Sequence, residues 1–141
     1  MKLLIVNGPN LNLIGQREQE IYGEVTFESF LESLKAKHSD VSIDYYQSNV
    51  EGELINSLQA SSHDGIILNA GGYTHTSVAI HDCIAGIKVP VLEVHMSNIA
   101  AREKYRHDSL ISPVAIGCLF GLGLDGYSLA VDYYKNYLNK R

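Results

Sequence analysis

The segment KLLIVN, from Lys2 to Asn7, is apolar at four consecutive positions and ends on a polar residue. A strand with one solvated face alternates apolar and polar residues, whereas a strand buried on both faces is apolar throughout. The segment therefore predicts a strand near the centre of a parallel sheet, with helices packed on both faces. Working outward from it, four further short runs of this kind alternate with segments of helical periodicity.

The predicted strands after the first one are 41–48, 65–69, 89–95 and roughly 114–119. Apolar stripes at helical spacing predict four helices, and Thr26 is a candidate N-cap of the first of them. The stripes are Phe27, Phe30, Leu31 and Leu34; Leu54, Ile55 and Leu58; Ile80, Ile84 and Ile87; and Tyr127, Ala130, Val131, Tyr134 and Leu138. Because right-handed crossovers join successive parallel strands, this alternation predicts an α/β fold. The best match is a flavodoxin-like three-layer sandwich, with a five-stranded parallel sheet in the order 2-1-3-4-5 and helices on both faces.

Length, net charge and cysteine spacing reduce the number of protein classes to consider. A length of 141 residues predicts a single domain over 1–141, and a net charge of -5 offers no basic face, so nucleic acid is not an expected partner. No run is long enough to span a membrane and no signal peptide is recognisable, so a cytoplasmic protein is expected. Cys83 and Cys118 lie in apolar segments without CxxC spacing, which favours reduced core residues over a disulfide or a zinc site.

The fold predicts where a ligand binds. In open parallel sheets the site lies outside the carboxyl ends of the strands, so the loops after Asn7, Asn69 and His95 are the candidates. The stretch GLGLDG, Gly121 to Gly126, matches a dinucleotide fingerprint, but it follows the last strand instead of the first. Close packing at the start of the last helix is the better interpretation of these glycines.

The loops carry candidate acid–base residues. Glu93 and His95 lie two apart on a strand and so share one face, where a carboxylate would make the imidazole a proton donor. His75 follows the third strand among hydroxyl residues, and Arg102 and Arg106, with Ser97, suit a carboxylate and hydroxyl ligand. The alternatives remain open: His95 as a structural histidine, Arg102 and Arg106 as solvated charges, and a zinc site at His75, Glu93 and His95.

The connection GQREQEIYG, Gly15 to Gly23, places an arginine and a tyrosine five residues apart. Ionising a tyrosine at pH 7 costs about 4 kcal/mol, and an arginine roughly 4 Å away offsets about that much at an effective dielectric near 20. Arg17 and Tyr22 are therefore suited to form a phenolate base, which, opposite an imidazolium, would support a β-elimination of water. The alternative is a loop whose tyrosine only packs.

Together these blocks resemble the type II 3-dehydroquinate dehydratases, the metal-free enzymes that form 3-dehydroshikimate, over nearly the whole chain. The matching blocks, in order, are NGPNLNLIGQRE, IYG, ILNAGGYTHTSVAI, EVHMSNIAARE, YRHDS and GLGLDGY. The resemblance implies a flavodoxin-like lyase without a cofactor or metal, usually a dodecamer of four trimers, most often serving aromatic biosynthesis.

The resemblance also implies a role for each candidate residue. Tyr22 would accept the proton, Arg17 would activate it, and Asn10 would hold a water against the enolate oxygen. His95 would protonate the leaving C1 hydroxyl, with Glu93 orienting it. The substrate carboxylate would lie against Met96 and Ser97, while its hydroxyls would be bound by Asn69, His75 and Arg106. Asp82 would reach the site of a neighbouring subunit.

The sequence departs from the family pattern at three positions. Gln19 replaces a common proline in the loop, His81 a common arginine and Ala100 a common histidine, so loop closure and subunit contacts are expected to differ in detail. The rival from another class is a flavodoxin-like module that holds a flavin or nucleotide, which the fold alone supports.

Overall fold

The structure is a computed structural model that describes residues 1–15 and 25–141. The strands are β1 (Lys2–Asn7), β2 (Ser42–Gln47), β3 (Gly65–Asn69), β4 (Val91–His95) and β5 (Gly117–Phe120). The helices of the described residues are α1 (Phe27–Lys37), α2 (Glu51–Ala60), α3 (Val78–Gly86) and α4 (Asp125–Asn139), with short 3-10 turns in the loops.

All strand pairs are parallel, and their order is β2-β1-β3-β4-β5. Asn7, the last residue of β1, lies opposite Gln47 of β2 and Asn69 of β3. The carboxyl ends of these strands therefore form one polar edge, at the point where the strand order reverses. The predicted fold class and strand order are both confirmed.

The core forms two layers because successive side chains of a strand point to opposite faces. Leu3 and Ile5 of β1 pack with α1 and α4, whereas Leu4 and Val6 pack with α2 and α3. Both sets are buried. The uninterrupted apolar run of β1 thus reflects burial on two faces, as its sequence predicts.

Capping sets where two helices begin. The Thr26 side chain accepts a hydrogen bond from the Ser29 amide at the start of α1, as predicted. Ser77 does the same for the Ile80 amide at the start of α3. Each hydroxyl satisfies an amide that the first helical turn leaves without a partner.

Two details of the sequence prediction are wrong. The fifth strand begins at Gly117 rather than near residue 114, because Ser112–Val114 forms a 3-10 turn that contains a proline. Cys118 is exposed rather than part of the core, since β5 is the outer strand and pairs with β4 alone. Cys83 is buried, and neither thiol is in a disulfide.

The GLGLDG stretch forms the turn from β5 into α4. Gly121 and Gly123 have φ angles of 82° and 59°, in the region that favours glycine. Gly126 is buried at the first turn of α4 and faces Val94. Within the described residues, no helix is long and apolar enough to cross a membrane.

Candidate active site

A cavity of about 490 Å³ opens at the carboxyl ends of β1, β3 and β4. Its wall is made by the three loops that follow these strands, which are the loops that the fold predicts. Both polar and apolar residues line it. The lining residues are Pro9, Asn10, Leu11, Leu13, Ile14, Gly15, Asn69, Gly71, Gly72, His75, His95, Met96, Ser97, Ile99, Arg102 and Arg106.

His95 lies at the inner end of the cavity and is 6% exposed. Its Nε2 is 2.8 Å from the Oε2 atom of Glu93, which is buried in the strand beneath it. The Thr74 hydroxyl lies 3.4 Å from the same nitrogen, and the ring of Phe120 meets the imidazole edge-on at 5.2 Å between centroids. The imidazole is thus fixed on several sides, and its Nδ1 is the nitrogen left for a ligand.

The Glu93 carboxylate has hydrogen-bond donors on both oxygens. Ser109 Oγ donates to Oε2 at 2.6 Å, and the Ser112 hydroxyl donates to Oε1. Burial raises the pKa of Glu93, but the hydrogen bonds from His95, Ser109 and Ser112 outweigh it and lower the pKa overall. The carboxylate is therefore ionised despite its burial.

Asn69 is held by a buried network at the base of the cavity. Its amide nitrogen donates to the Tyr127 hydroxyl at 3.0 Å, and that hydroxyl donates to Asn7 Oδ1 at 2.8 Å. Its amide oxygen accepts a hydrogen bond from the Gly71 amide at 3.2 Å. The side chain is fixed in orientation and retains one N–H for a ligand.

Three cationic or titratable side chains surround the opening. His75 donates from Nδ1 to the carbonyl of Asp108 at 2.8 Å, so its Nε2 is the nitrogen left for a ligand. Arg106 donates from Nε to Glu103 at 2.7 Å, and Arg102 reaches the Ser97 hydroxyl at 3.4 Å. Both arginines line the cavity, and Arg102 is exposed to solvent there.

The remaining described candidates are placed as follows. Asn10 lines the cavity in a left-handed conformation, φ 69°, and its amide donates to Asn49 Oδ1 at 3.0 Å. Met96 and Ser97 line the cavity directly after β4. Asp82 does not line it: its side chain is 70% exposed on α3 and pairs with His81 at 3.0 Å. Arg17, Gln19 and Tyr22 lie outside the described residues.

The zinc alternative finds no geometric support. Among residues 1–15 and 25–141, no three His, Cys, Asp or Glu side chains converge as metal ligands would. The His75 and His95 rings stack at 6.4 Å between centroids, and the Glu93 oxygens are taken by His95 and the two serines.

Comparison with known proteins agrees with this geometry. A family model described as "Dehydroquinase class II" matches residues 1–135. The chain belongs to the class II dehydroquinase family.

Relatives of this dehydroquinase are similar over their full length. The 3-dehydroquinate dehydratase of Fusobacterium nucleatum is 49% identical, covering 99% of this chain and 100% of the relative. That of Clostridium acetobutylicum is 48% identical, with 99% and 100% covered. A crystal structure of the type II dehydroquinase from Butyrivibrio crossotus superimposes with a TM-score of 0.88 at 42% identity, covering 94% of this chain and 96% of that chain. The match favours this family over the flavin-binding alternative, which the fold alone supports.

Sequence reasoning missed the partners behind the dehydroquinase site. The sequence pattern assigns Thr74, Ser109, Ser112 and Tyr127 no part in the site. Serines, threonines and tyrosines are common, and nothing in their spacing identifies which strand residue they contact. Only the folded geometry brings Ser109 and Ser112 to Glu93.

Proposed function

We propose that the protein catalyses the reversible dehydration of 3-dehydroquinate to 3-dehydroshikimate through an enolate, with neither metal nor Schiff base. The observation that carries the proposal is the buried Glu93–His95 pair at the end of a cavity in a class II dehydroquinase chain. The named activity of its full-length relatives supports the same substrate.

In the proposed reaction, the Tyr22 phenolate, stabilised by Arg17, removes a proton from C2 of the substrate. The C2–H electrons form the enolate, and Asn10 holds a water against the enolate oxygen. The enolate then collapses, the C1–O bond breaks on the opposite face, and His95 gives its proton to the departing hydroxyl. One water leaves for each enone formed, and the proton taken by Tyr22 is returned to His95 through solvent.

Binding is assigned to the polar wall. Met96 and Ser97 accept the substrate carboxylate with their backbone and side-chain donors, and Asn69, His75 and Arg106 bind the hydroxyls. These contacts suit the chemistry because charged and neutral donors face a ligand that carries one carboxylate and several hydroxyls. Fixing the ligand between base and acid lowers the entropic part of the barrier.

We further propose a cytoplasmic homododecamer built from four trimers, in which Asp82 reaches a neighbouring subunit's site. The exposure of the Asp82 side chain on α3, where it pairs with His81, makes its carboxylate accessible to a neighbouring subunit. Mass measurement in solution tests the assembly, and a monomer of 15.6 kDa with full activity contradicts it.

The activity test is a direct assay for the enone product. Purified protein mixed with 3-dehydroquinate should give rising ultraviolet absorbance, with the same rate after thorough chelation of divalent metals. The Tyr22→Phe variant should fold but lose about 10²- to 10⁴-fold in kcat, because a general base contributes that much. Tyr133→Phe, on the outer face of α4, is the matched control and should retain the wild-type rate. Normal turnover by Tyr22→Phe would disprove the assignment of the base.

A further inference from the structure

Ser109 and Ser112 reach the Glu93 carboxylate from the segment that closes one side of the cavity. Ser109 Oγ lies 2.6 Å from Oε2, the same oxygen that accepts from His95 Nε2 at 2.8 Å, and Ser112 Oγ contacts Oε1. Both serines are half-buried, and neither lines the cavity. They therefore act on the site only through Glu93.

The orientation of the Ser109 hydroxyl is fixed by its own backbone. Its oxygen accepts hydrogen bonds from the amides of Ile111 at 3.1 Å and Ser112 at 3.0 Å. With these acceptor positions occupied, the hydroxyl proton is directed at the carboxylate, which can only accept when ionised. The hydrogen bond is thus formed before any ligand arrives.

The segment is anchored to the opposite wall as well. The Leu110 amide donates to the Thr74 carbonyl at 2.9 Å, and the Asp108 carbonyl accepts from His75 Nδ1 at 2.8 Å. The position of the two serines relative to Glu93 is therefore set by backbone contacts on both sides.

A buried carboxylate and imidazole that share a proton have two arrangements. In one, Glu93 is anionic and His95 is an imidazolium; in the other, both are neutral and Glu93 holds the proton. Burial favours the neutral arrangement, whereas each hydrogen bond donated to the carboxylate favours the ionic one. Only the ionic arrangement makes the Nδ1–H of His95 a strong acid, because a neutral imidazole is a far weaker proton donor.

Among the described residues, the other polar side chains that face His95 from the cavity supply no anion. His75 stacks at 6.4 Å between ring centroids, and Arg102 and Arg106 line the same cavity. Glu103 pairs with these arginines rather than with His95. Within residues 1–15 and 25–141, the remaining neighbours Thr74 and Phe120 are uncharged, so Glu93 is the anion that contacts His95.

We infer that Ser109 and Ser112 are positioning residues which hold Glu93 as an anion and so keep the shared proton on His95, ready for transfer to the leaving hydroxyl. The inference rests on the proposed function for the identity of the proton acceptor. The two serines thus set the acid strength of His95, although neither of them contacts it.

The test compares Ser109→Ala, Ser112→Ala and the double variant with wild type over a range of pH. In the double variant, kcat on 3-dehydroquinate should fall about 10- to 100-fold, less than the 10²- to 10⁴-fold that a general acid contributes, with KM changed little. In the double variant, the Glu93 carboxylate has lost both serine donors, so removing the last proton from the Glu93–His95 pair costs more free energy. The basic limb of the kcat profile should therefore move to higher pH. Ser109→Thr, which keeps the hydroxyl that Ser109→Ala removes, should have the kcat and the basic limb of wild type.

A spectroscopic measurement separates this inference from the proposed function. The ¹⁵N shifts of the His95 ring should report an imidazolium in wild type and a neutral ring in the double variant at the same pH, whether or not the substrate turns over. Ser57→Ala, on α2, is the matched control and should leave the shifts unchanged. If the alanine variants do not fold, Ser109→Cys and Ser112→Cys, with weaker donors of similar size, take their place.

The results of these experiments distinguish failure of the proposed function from failure of the inference about Ser109 and Ser112. A wild-type protein without dehydratase activity overturns the proposed function, and the ring shifts still decide the inference. Wild-type ring shifts in the double variant overturn the inference, as does a drop in kcat with no movement of the basic limb.

Discussion

The Tyr127 hydroxyl links two buried amides that meet at the base of the cavity. It donates to Asn7 and accepts from Asn69, and all three residues are nearly inaccessible to solvent. Burial raises the pKa of Tyr127 above that of a free tyrosine, so the hydroxyl is neutral near pH 7 and can donate. A neutral hydroxyl is what this position requires, because Asn7 Oδ1 needs a donor.

Tyr127→Phe should therefore cost more than the loss of one atom suggests. It leaves the Asn7 oxygen and an Asn69 N–H unpaired in the interior, which destabilises the fold by about 1–3 kcal/mol for a buried polar group. Since Asn69 also lines the cavity, KM should rise more than kcat falls. Urea unfolding and steady-state kinetics measure the two effects. Tyr133→Phe, whose side chain is 41% exposed on the same helix, is the control and should change neither.

At the scale of elements, contact between β3 and α4 depends on a glycine at the start of the strand. A Cβ atom at Gly65 would lie 2.4 Å from the Tyr134 ring. The ring has no room to move, because it is fully buried and its hydroxyl contacts the carbonyls of Ile66 at 2.7 Å and Pro90 at 2.8 Å. The glycine is required here for space rather than for backbone conformation.

Gly65→Ala should accordingly lower the free energy of unfolding by about 1–3 kcal/mol, the usual range for overpacking a core. The same substitution made in a Tyr134→Leu background should cost much less, since the clashing ring is gone. Gly52→Ala is the control: nothing lies within 4 Å of its added methyl, so it should stabilise α2 by up to about 1 kcal/mol. Equal costs for Gly65→Ala in both backgrounds would contradict the steric explanation.

At the scale of the whole molecule, a buried histidine, His38, lies directly after α1 and contacts α4. His38 is 2% exposed, and its Nε2 lies 2.9 Å from Ser128 Oγ, which also accepts from Lys37 at 2.8 Å. Burial is the main cause that lowers the pKa of His38, and Lys135 and Lys37 add to it against Asp132 and Asp40. The histidine is thus neutral in the folded protein where the unfolded chain binds a proton.

The sign of the pH effect follows from that difference. Because the unfolded chain binds more protons below its ordinary histidine pKa of 6.5, stability should fall as pH decreases from about 7 to 5. His38→Gln keeps a hydrogen-bonding group but cannot titrate, so it should reduce the slope in this range. Urea midpoints at several pH values for both proteins measure it, and parallel curves would rule His38 out as a cause.

Several levels of the structure could be predicted from the sequence. The bounds of β1 and β3 were predicted to the residue, because runs of four and three large apolar residues leave no solvated face and a polar asparagine ends each run. The strand order followed from matching five alternating strands in a chain of this length to the flavodoxin-like arrangement. The exposure of Cys118 could not be predicted, since an apolar run does not reveal that its strand has a neighbour on one side alone.

For the candidate site, the sequence indicated the loops and the Glu93–His95 pair, because a strand places every second residue on one face. The spacing of Arg17 and Tyr22 suggested a phenolate base and the resemblance implied the same roles, but both residues lie outside the described ones and these assignments remain predictions. What could not be derived is the surroundings of the pair, because those contacts join residues far apart along the chain. Ser109 and Ser112 approach Glu93 from a separate loop, 16 and 19 residues away.

The sequence by itself therefore determined the class of fold, the edge of the sheet where the cavity opens and the family. These depend on local periodicity and ordered motifs, which are properties of the chain alone. Tertiary structure decided which hydroxyls hold Glu93, that Tyr127 fixes Asn69 and that Gly65 makes room for Tyr134. The physical reason is that hydrogen bonding and exclusion of volume act over a few ångströms in space, and only folding brings such distant residues that close.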